Sequence, residues 1–333
     1  VNNTSHNTQH TTRSTHHAAR ITQHASRSTH HAARITQYES RITFPNLKED
    51  VMNSDCLQYA LTEEERQRFE ADGFLVIPDV LPEEMIQKLT AVTDRIDAAE
   101  RAIKGRDPYV SQNIFDFVGK DDAYMELVDW PKTLPKVWGI LGWNIQLYHS
   151  HLIVTPPLPN GQTPPKKRLG WHQDSDRLNK DMEVTPQPRI SLKVAFFLTD
   201  TSQVGCANMY VVPGSQVKNK IDFPADPLAD PAEGIAVRAP RGSAVLFDRR
   251  IWHASSPNYL DFARKVLFYG YSYRWIRPRD NMTVDHYAYR SDPIRQQLLG
   301  VSHSGNHGYS SPQEIDVPLR AWLRTNVGEA AAV

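Results

Sequence analysis

The chain has 333 residues, and its 38 Lys plus Arg balance 38 Asp plus Glu, for a formal net charge of +0. With 40% hydrophobic residues it is long and apolar enough to bury a sizeable core. Zero net charge argues against a dedicated nucleic-acid binder, whose affinity rests on surplus cations. No run approaches the roughly 18 consecutive apolar residues of a transmembrane helix.

Residues 1–41 differ from the rest. The block RSTHHAARITQ occurs at Arg13 to Gln23 and again at Arg27 to Gln37, and no acid precedes Glu39. Large aliphatic residues are almost confined to Ile21 and Ile35, so the segment cannot offset the entropy of ordering from its own contacts. It is expected to be a disordered or artefactual tail. The alternative is metal capture by His16, His17, His30 and His31. No apolar leader core follows Val1, and Cys56 and Cys206 form no CxxC pair. The expected setting is a reducing cytoplasm.

A single domain is expected over 42–333, helical at first and mainly β afterwards. Thr62 with Glu65 resembles a capping box that opens a helix ending near Gly73. Phe74 to Val80 reads as a strand. A second helix runs from Leu81 toward Ala102, with Met85, Leu89, Val92 and Ile96 at helical spacing. Asp121 to Val128 and Leu134 to Leu141 are short helical candidates. Asn144 to Val154 is a mostly apolar strand interrupted by His149, Ser150 and His151, and the breaker-rich loop Pro156 to Lys167 follows.

The segment Ile190 to Thr199 alternates Ile190, Leu192, Val194, Phe196 and Leu198 against Ser191, Lys193, Ala195, Phe197 and Thr199, the pattern of a half-buried strand. Further strands are read at Met209 to Val212, Ala236 to Arg238, Gly242 to Phe247 and Lys265 to Trp275. Strand–helix alternation is absent after Ile190, which favours a β barrel or sandwich over a doubly wound sheet. Asp280 to Leu299 is mixed, and Pro312 to Leu323 has a helical pattern.

The chemistry concentrates in Trp171-His172-Gln173-Asp174. Residues two apart on an extended chain point the same way, so His172 and Asp174 can offer an imidazole and a carboxylate to one ion, while Gln173 points opposite. His253 supplies a third ligand beyond an apolar strand. Two His and one carboxylate suit Fe(II) with open positions for a cosubstrate and O2. The same ligand types on zinc would imply hydrolysis.

This ordered set resembles the phytanoyl-CoA dioxygenase family of Fe(II)- and 2-oxoglutarate-dependent oxygenases: WHQD at Trp171 to Asp174, VVPGS at Val211 to Ser215, His253, and Arg264 eleven residues later. The resemblance spans roughly Leu61 to Trp275. It implies a double-stranded β-helix (jelly-roll, cupin-like) core over approximately 144–275 with flanking helices. By position it makes His172, Asp174 and His253 the iron ligands, and Arg264 the partner of the distal carboxylate of 2-oxoglutarate. It also directs His149, and more weakly Ser191 and Lys193, toward the cosubstrate.

Related halogenases replace the carboxylate ligand with a small residue. Asp174 is retained, so the expectation is hydroxylation of an unactivated C–H bond, with succinate and CO2 released. His151, Arg274 and Arg277, with Arg279, are candidate contacts for a small or medium polar substrate, and Tyr271, Tyr273 and Trp275 are candidate walls. Neither a nucleic-acid nor a membrane partner is expected, and a monomer and a homodimer both fit. The alternatives are a metal-dependent hydrolase and a non-catalytic small-molecule binder on the same fold.

Overall fold

In the computed structural model, which describes residues 52–333 except 160, 161, 163 and 165, Thr62 caps the first helix as its sequence dictates. The repeat-bearing tail lies outside the described residues. Helix α1 (Glu63–Asp72) starts with both halves of the Thr62–Glu65 capping box and stops at Gly73, whose φ of 82° only glycine adopts without strain. Helix α2 (Glu83–Lys104) buries Ile86, Leu89, Thr93 and Ile96, so its buried stripe is rotated slightly from the one expected; Met85 and Val92 sit at its margin. Asp121 to Val128 contributes only the short α3 (Asp122–Met125), while α4 spans Leu134–Leu141 as expected.

The described residues form nine strands, in chain order: β1 (Phe74–Ile77), β2 (Gln112–Phe115), β3 (Ile145–Thr155), β4 (Ser191–Phe197), β5 (Met209–Val211), β6 (Ile235–Ala236), β7 (Ala244–Asp248), β8 (His253–Ser255) and β9 (Arg264–Tyr273). Among the later helices are α5 (Asp176–Met182), α6 (Asp285–Ala288), α7 (Pro293–Leu298) and α8 (Pro318–Asn326).

The strands form a six-stranded antiparallel sheet, β1-β7-β4-β9-β3-β2, and a three-stranded sheet, β6-β5-β8. The large sheet is wider than expected, because β1 and β2 join it from the N-terminal part. Strand β2 carries no strong signal of its own; its pairing with β3 creates it.

Alternation along the central strands assigns their two faces. Leu192, Val194 and Phe196 of β4 meet Leu267, Tyr269 and Tyr271 of β9 in a core shared with α2, α4 and α8. Ala195, Phe197, Val266 and Phe268 turn the other way and pack against Met209, Val211 and Val237 from the small-sheet side. Every residue of β4 is buried, so the expected half-buried strand is covered on both faces. Each large apolar side chain so buried contributes on the order of 1.5–3 kcal/mol. The walls between the sheets are therefore largely apolar, and a polar residue buried among them is there at a cost. No helix of the described residues is long and apolar enough to cross a membrane.

Candidate metal centre

The two histidines are locked together by the backbone. His172 and His253 face each other across an antiparallel bridge, with N–H to carbonyl bonds of 2.9 Å in both directions. Directly opposed residues project on one side of a sheet, and the imidazole centroids lie 4.3 Å apart. The preceding residues point to the other side: Trp171, with Trp252 packed beside it, anchors a small cluster with Val212 and Ala254. Trp171, buried, and Trp252, half-buried, thus turn to the far side of the bridge from the histidines, of which His172 stays exposed. The His253 strand was missed from composition because its three residues are held by cross-strand bonds.

Asp174 comes next on the same side. Its N–H donates to the Arg249 carbonyl at 3.0 Å, and Ser175 at φ 62° then turns the chain into α5. Gln173 points the opposite way, donating to the carbonyls of Lys218 and Arg250. One ligand atom from each of His172, Asp174 and His253 lies within 4.8 Å of the others, a 2-His-1-carboxylate facial triad.

The donor set fits a divalent metal. Carbonyl oxygens only accept, so Nδ1 of His172, 2.8 Å from the Gly170 oxygen, and Nδ1 of His253, 2.9 Å from the Ile251 oxygen, both carry the proton. Each Nε2 is left with a lone pair for the ion. Burial pushes His253 down to about 4, keeping that imidazole neutral at pH 7. Burial alone would raise the Asp174 carboxyl, but Lys193 and the two histidines outweigh it and hold it well below the usual range. Lys193 Nζ is 2.8 Å from Asp174 Oδ2.

The sheet register places the remaining candidates. Lys193, Gly270 and His149 stand in one cross-strand row, and Ala195, Phe268 and His151 in the next. Thr155 opposes Arg264 at the far end. His149 is fully buried, and its Nδ1 donates to Asp280 Oδ1 at 2.8 Å. Burial, only partly opposed by Asp280, holds it below its ordinary value. His151 stacks on Phe115 at 4.6 Å and is pushed by burial to about 3.

A bulge between Leu147 and His149 also brings in Tyr148, whose hydroxyl shares a 3.1 Å hydrogen bond with Ser191 Oγ. Sequence reading did not single out Tyr148 or Asp280. A bulge breaks the two-residue period that assigns faces, and Asp280 lies far along the chain, in a segment without pattern.

Arg264 is 1% exposed, and no carboxylate of the described residues pairs with it. Its Nε is buried without a partner, its guanidinium lies 5.6 Å from the Phe197 ring centroid, and burial lowers it to about 10. A buried unpaired guanidinium is costly unless an anion joins it.

The other arginines separate. Arg274 is buried against the C-terminal segment and donates to the Val301 carbonyl, while Arg277 is exposed. Arg279 lies 5.9 Å from the Phe115 ring, beside the inward histidines. Tyr271 turns to the helical layer, where its hydroxyl donates to Val128, so it is not a pocket wall. The odd positions of β9 all face that layer, whereas Arg264 is on the even face.

Comparison with known proteins agrees with this geometry. Residues 69–266 match the family described as Phytanoyl-CoA dioxygenase (PhyH). The ectoine dioxygenase of Stutzerimonas stutzeri (strain A1501) is 23% identical over 252 residues, covering 67% of this chain and 80% of that protein. The one from Nocardia farcinica (strain IFM 10152) is 25% identical, covering 62% and 76%.

Among solved structures, HygX from Streptomyces hygroscopicus with nickel and 2-oxoglutarate bound aligns with a TM-score of 0.50 and 16% identity over 66% of this chain and 90% of that one. The carbocyclase SnoK from nogalamycin biosynthesis aligns with a TM-score of 0.50 and 21% identity, over 70% and 92%. Both share the fold of two facing antiparallel sheets that this chain builds around its triad. The chain belongs to the phytanoyl-CoA dioxygenase family of Fe(II)- and 2-oxoglutarate-dependent oxygenases.

Proposed function

We propose that this chain hydroxylates an unactivated C–H bond of a small or medium polar metabolite, with Arg264 holding the distal carboxylate of 2-oxoglutarate. The observation that carries this reading is the combination of an assembled triad with a buried arginine, on the same interior face, that no carboxylate of the described residues pairs. Bound iron supplies the chemistry by which O2 and 2-oxoglutarate become succinate and CO2 and one oxygen atom enters the C–H bond as hydroxyl.

The protein's own residues do the rest. His172, Asp174 and His253 would hold the metal. Arg264 grips a carboxylate through two parallel N–H donors. Val211, Phe197, Val266 and Phe268 exclude water from the space between. His149, Ser191 and Lys193, with Tyr148, line the polar end and orient cosubstrate and substrate.

The buried polar side chains on that wall support a polar substrate. Of the three arginines, Arg279 is the one placed to meet an anionic group at the rim. The partner is read as a small molecule rather than nucleic acid or lipid, and the setting as cytoplasmic.

The test is substrate-dependent succinate formation with Fe(II), with and without O2. The panel comprises ectoine, phosphorylated and hydroxylated metabolites, amino acids and acyl thioesters. Coupled turnover with a polar member, strictly dependent on O2, is expected. Turnover without O2 would make the site a hydrolase, and coupling only with an uncharged long-chain lipid would overturn the substrate class.

A further inference from the structure

Lys193 is an expensive residue to place where it is. It projects from β4 into the space between the sheets in one cross-strand row with Phe247, Gly270 and His149. Its ammonium lies 5.9 and 6.0 Å from the ring centroids of Phe247 and Phe268. The Lys193 and Asp174 side chains are 6% and 7% exposed, and Asp174 Oδ2 is the one carboxylate oxygen of the described residues that pairs with Lys193. Both neighbouring imidazoles spend their Nδ1–H on backbone carbonyls, so neither points a proton at Asp174 from that nitrogen. Among the described residues, Lys193 supplies the ammonium paired with the buried carboxylate.

We propose that Lys193 is a placeholder cation for the metal: it keeps the Asp174 carboxylate in position in the metal-free protein, and it weakens the hold of the finished site on the ion. The inference rests on the triad being the metal site. A buried carboxylate with no cation is strongly destabilising, so the pair preserves the empty site. Once a divalent ion shares the same carboxylate, the ammonium beside it repels that ion through a low-dielectric interior. One residue therefore has opposite effects on the two states: it stabilises the metal-free protein and opposes metal loading. Lys193 acts through Asp174 and is a positioning residue.

The test compares wild-type full chain with Lys193→Met, Lys193→Gln and Lys193→Arg, using Ni(II) alone as the probe and thermal melting as the readout. Histidines elsewhere that bind Ni(II) equally in folded and unfolded chain do not move the melting temperature, so the shift reports the folded site.

Metal-free Lys193→Met is expected to melt roughly 3 °C or more below wild type, by loss of a buried pair. Its Ni(II)-induced rise should exceed that of wild type, with half-saturation at a concentration at least about five-fold lower. Lys193→Gln, which removes the charge but keeps a polar side chain, should show the same tightening and covers the case in which the methionine variant fails to fold. Lys193→Arg should stay near wild type. A merely structural lysine would lower stability without tightening Ni(II), and that result overturns the proposal, as does an unchanged metal-free melting temperature. Asp174→Ala reads the underlying assignment separately: if it keeps the wild-type Ni(II) shift, the triad is not the metal site and the inference falls with it.

Discussion

Arg264 shows how one residue's surroundings announce its ligand. An exposed arginine is satisfied by water; this one is buried beside the Phe197 ring, and its Nε has no hydrogen-bond partner among the described residues. Charge-assisted hydrogen bonds are worth about 1.5–3 kcal/mol each, so Arg264→Ala is expected to raise the 2-oxoglutarate concentration for half-maximal succinate formation by at least about ten-fold. Metal binding should be retained, because the triad is built on other strands. Arg264→Lys keeps the charge but loses the planar fork, and should fall between the two.

Gly270 is the second informative residue. A Cβ there would lie 3.0 Å from His149 Cβ and 3.0 Å from Tyr148 Cε1. Gly270→Ala is therefore expected to cost about 1–3 kcal/mol through overpacking, seen as a lower urea midpoint with an unchanged slope.

The elements are fastened around the site by a buried ionic strap. Asp248, at the end of β7, accepts from Arg189 at 2.7 Å and from Arg250 at 2.6 Å, and Arg189 reaches across to Glu70 on α1. The strap fixes the turn from β7 to β8, and hence the distance from Arg249, which holds Asp174, to His253. Burial alone would raise the Asp248 carboxyl, but Arg250 and Arg189 outweigh it and hold it below its ordinary value. Asp248→Asn leaves Arg250 without its carboxylate and Arg189 with Glu70 alone, and should cost about 3–5 kcal/mol at pH 7.

The sign with pH follows. A carboxyl depressed in the folded state contributes fully above the unfolded value near 4, and the contribution is lost as pH falls through the lower folded value. The stability gap between wild type and Asp248→Asn should therefore be wide at pH 7 and narrow below pH 4, as urea titrations at the two pH values would show. A constant gap would place the effect in packing.

At the scale of the whole molecule, the triad draws on two segments far apart in the chain, and the large sheet recruits β1 and β2 from the helical part. Truncation from the N-terminal side should therefore be tolerated up to, but not into, this assembly. A chain beginning at Arg41 is expected to keep wild-type melting and cosubstrate turnover, because the polar repeat before it has no apolar pattern with which to pack. A chain beginning at Pro78 loses α1, β1 and the Glu70 end of the strap, and should not fold. Side-by-side melting curves check both.

Much of the site was legible in the chain, for local reasons. A two-residue period decides which side chains share a face, so His172 with Asp174, and Ser191 with Lys193, were paired before any fold was known. The Thr62–Glu65 box and the Gly73 stop are equally local, and the family resemblance tied His253 and Arg264 to the same centre. Tertiary structure decided what no local period encodes. The bulge at Leu147 turned Tyr148 inward beside His149. Cross-strand bonds made strands of Gln112–Phe115 and His253–Ser255, whose composition does not ask for one. Helix α5 buries none of its residues and so left no apolar stripe to read. Arg274 lies past the end of β9, where alternation no longer governs direction, and the C-terminal segment claimed it. The contact between Lys193 and Asp174 needed a strand of the large sheet to meet the bend that follows His172. Its meaning depends on burial, which residue spacing suggests and only packing confers.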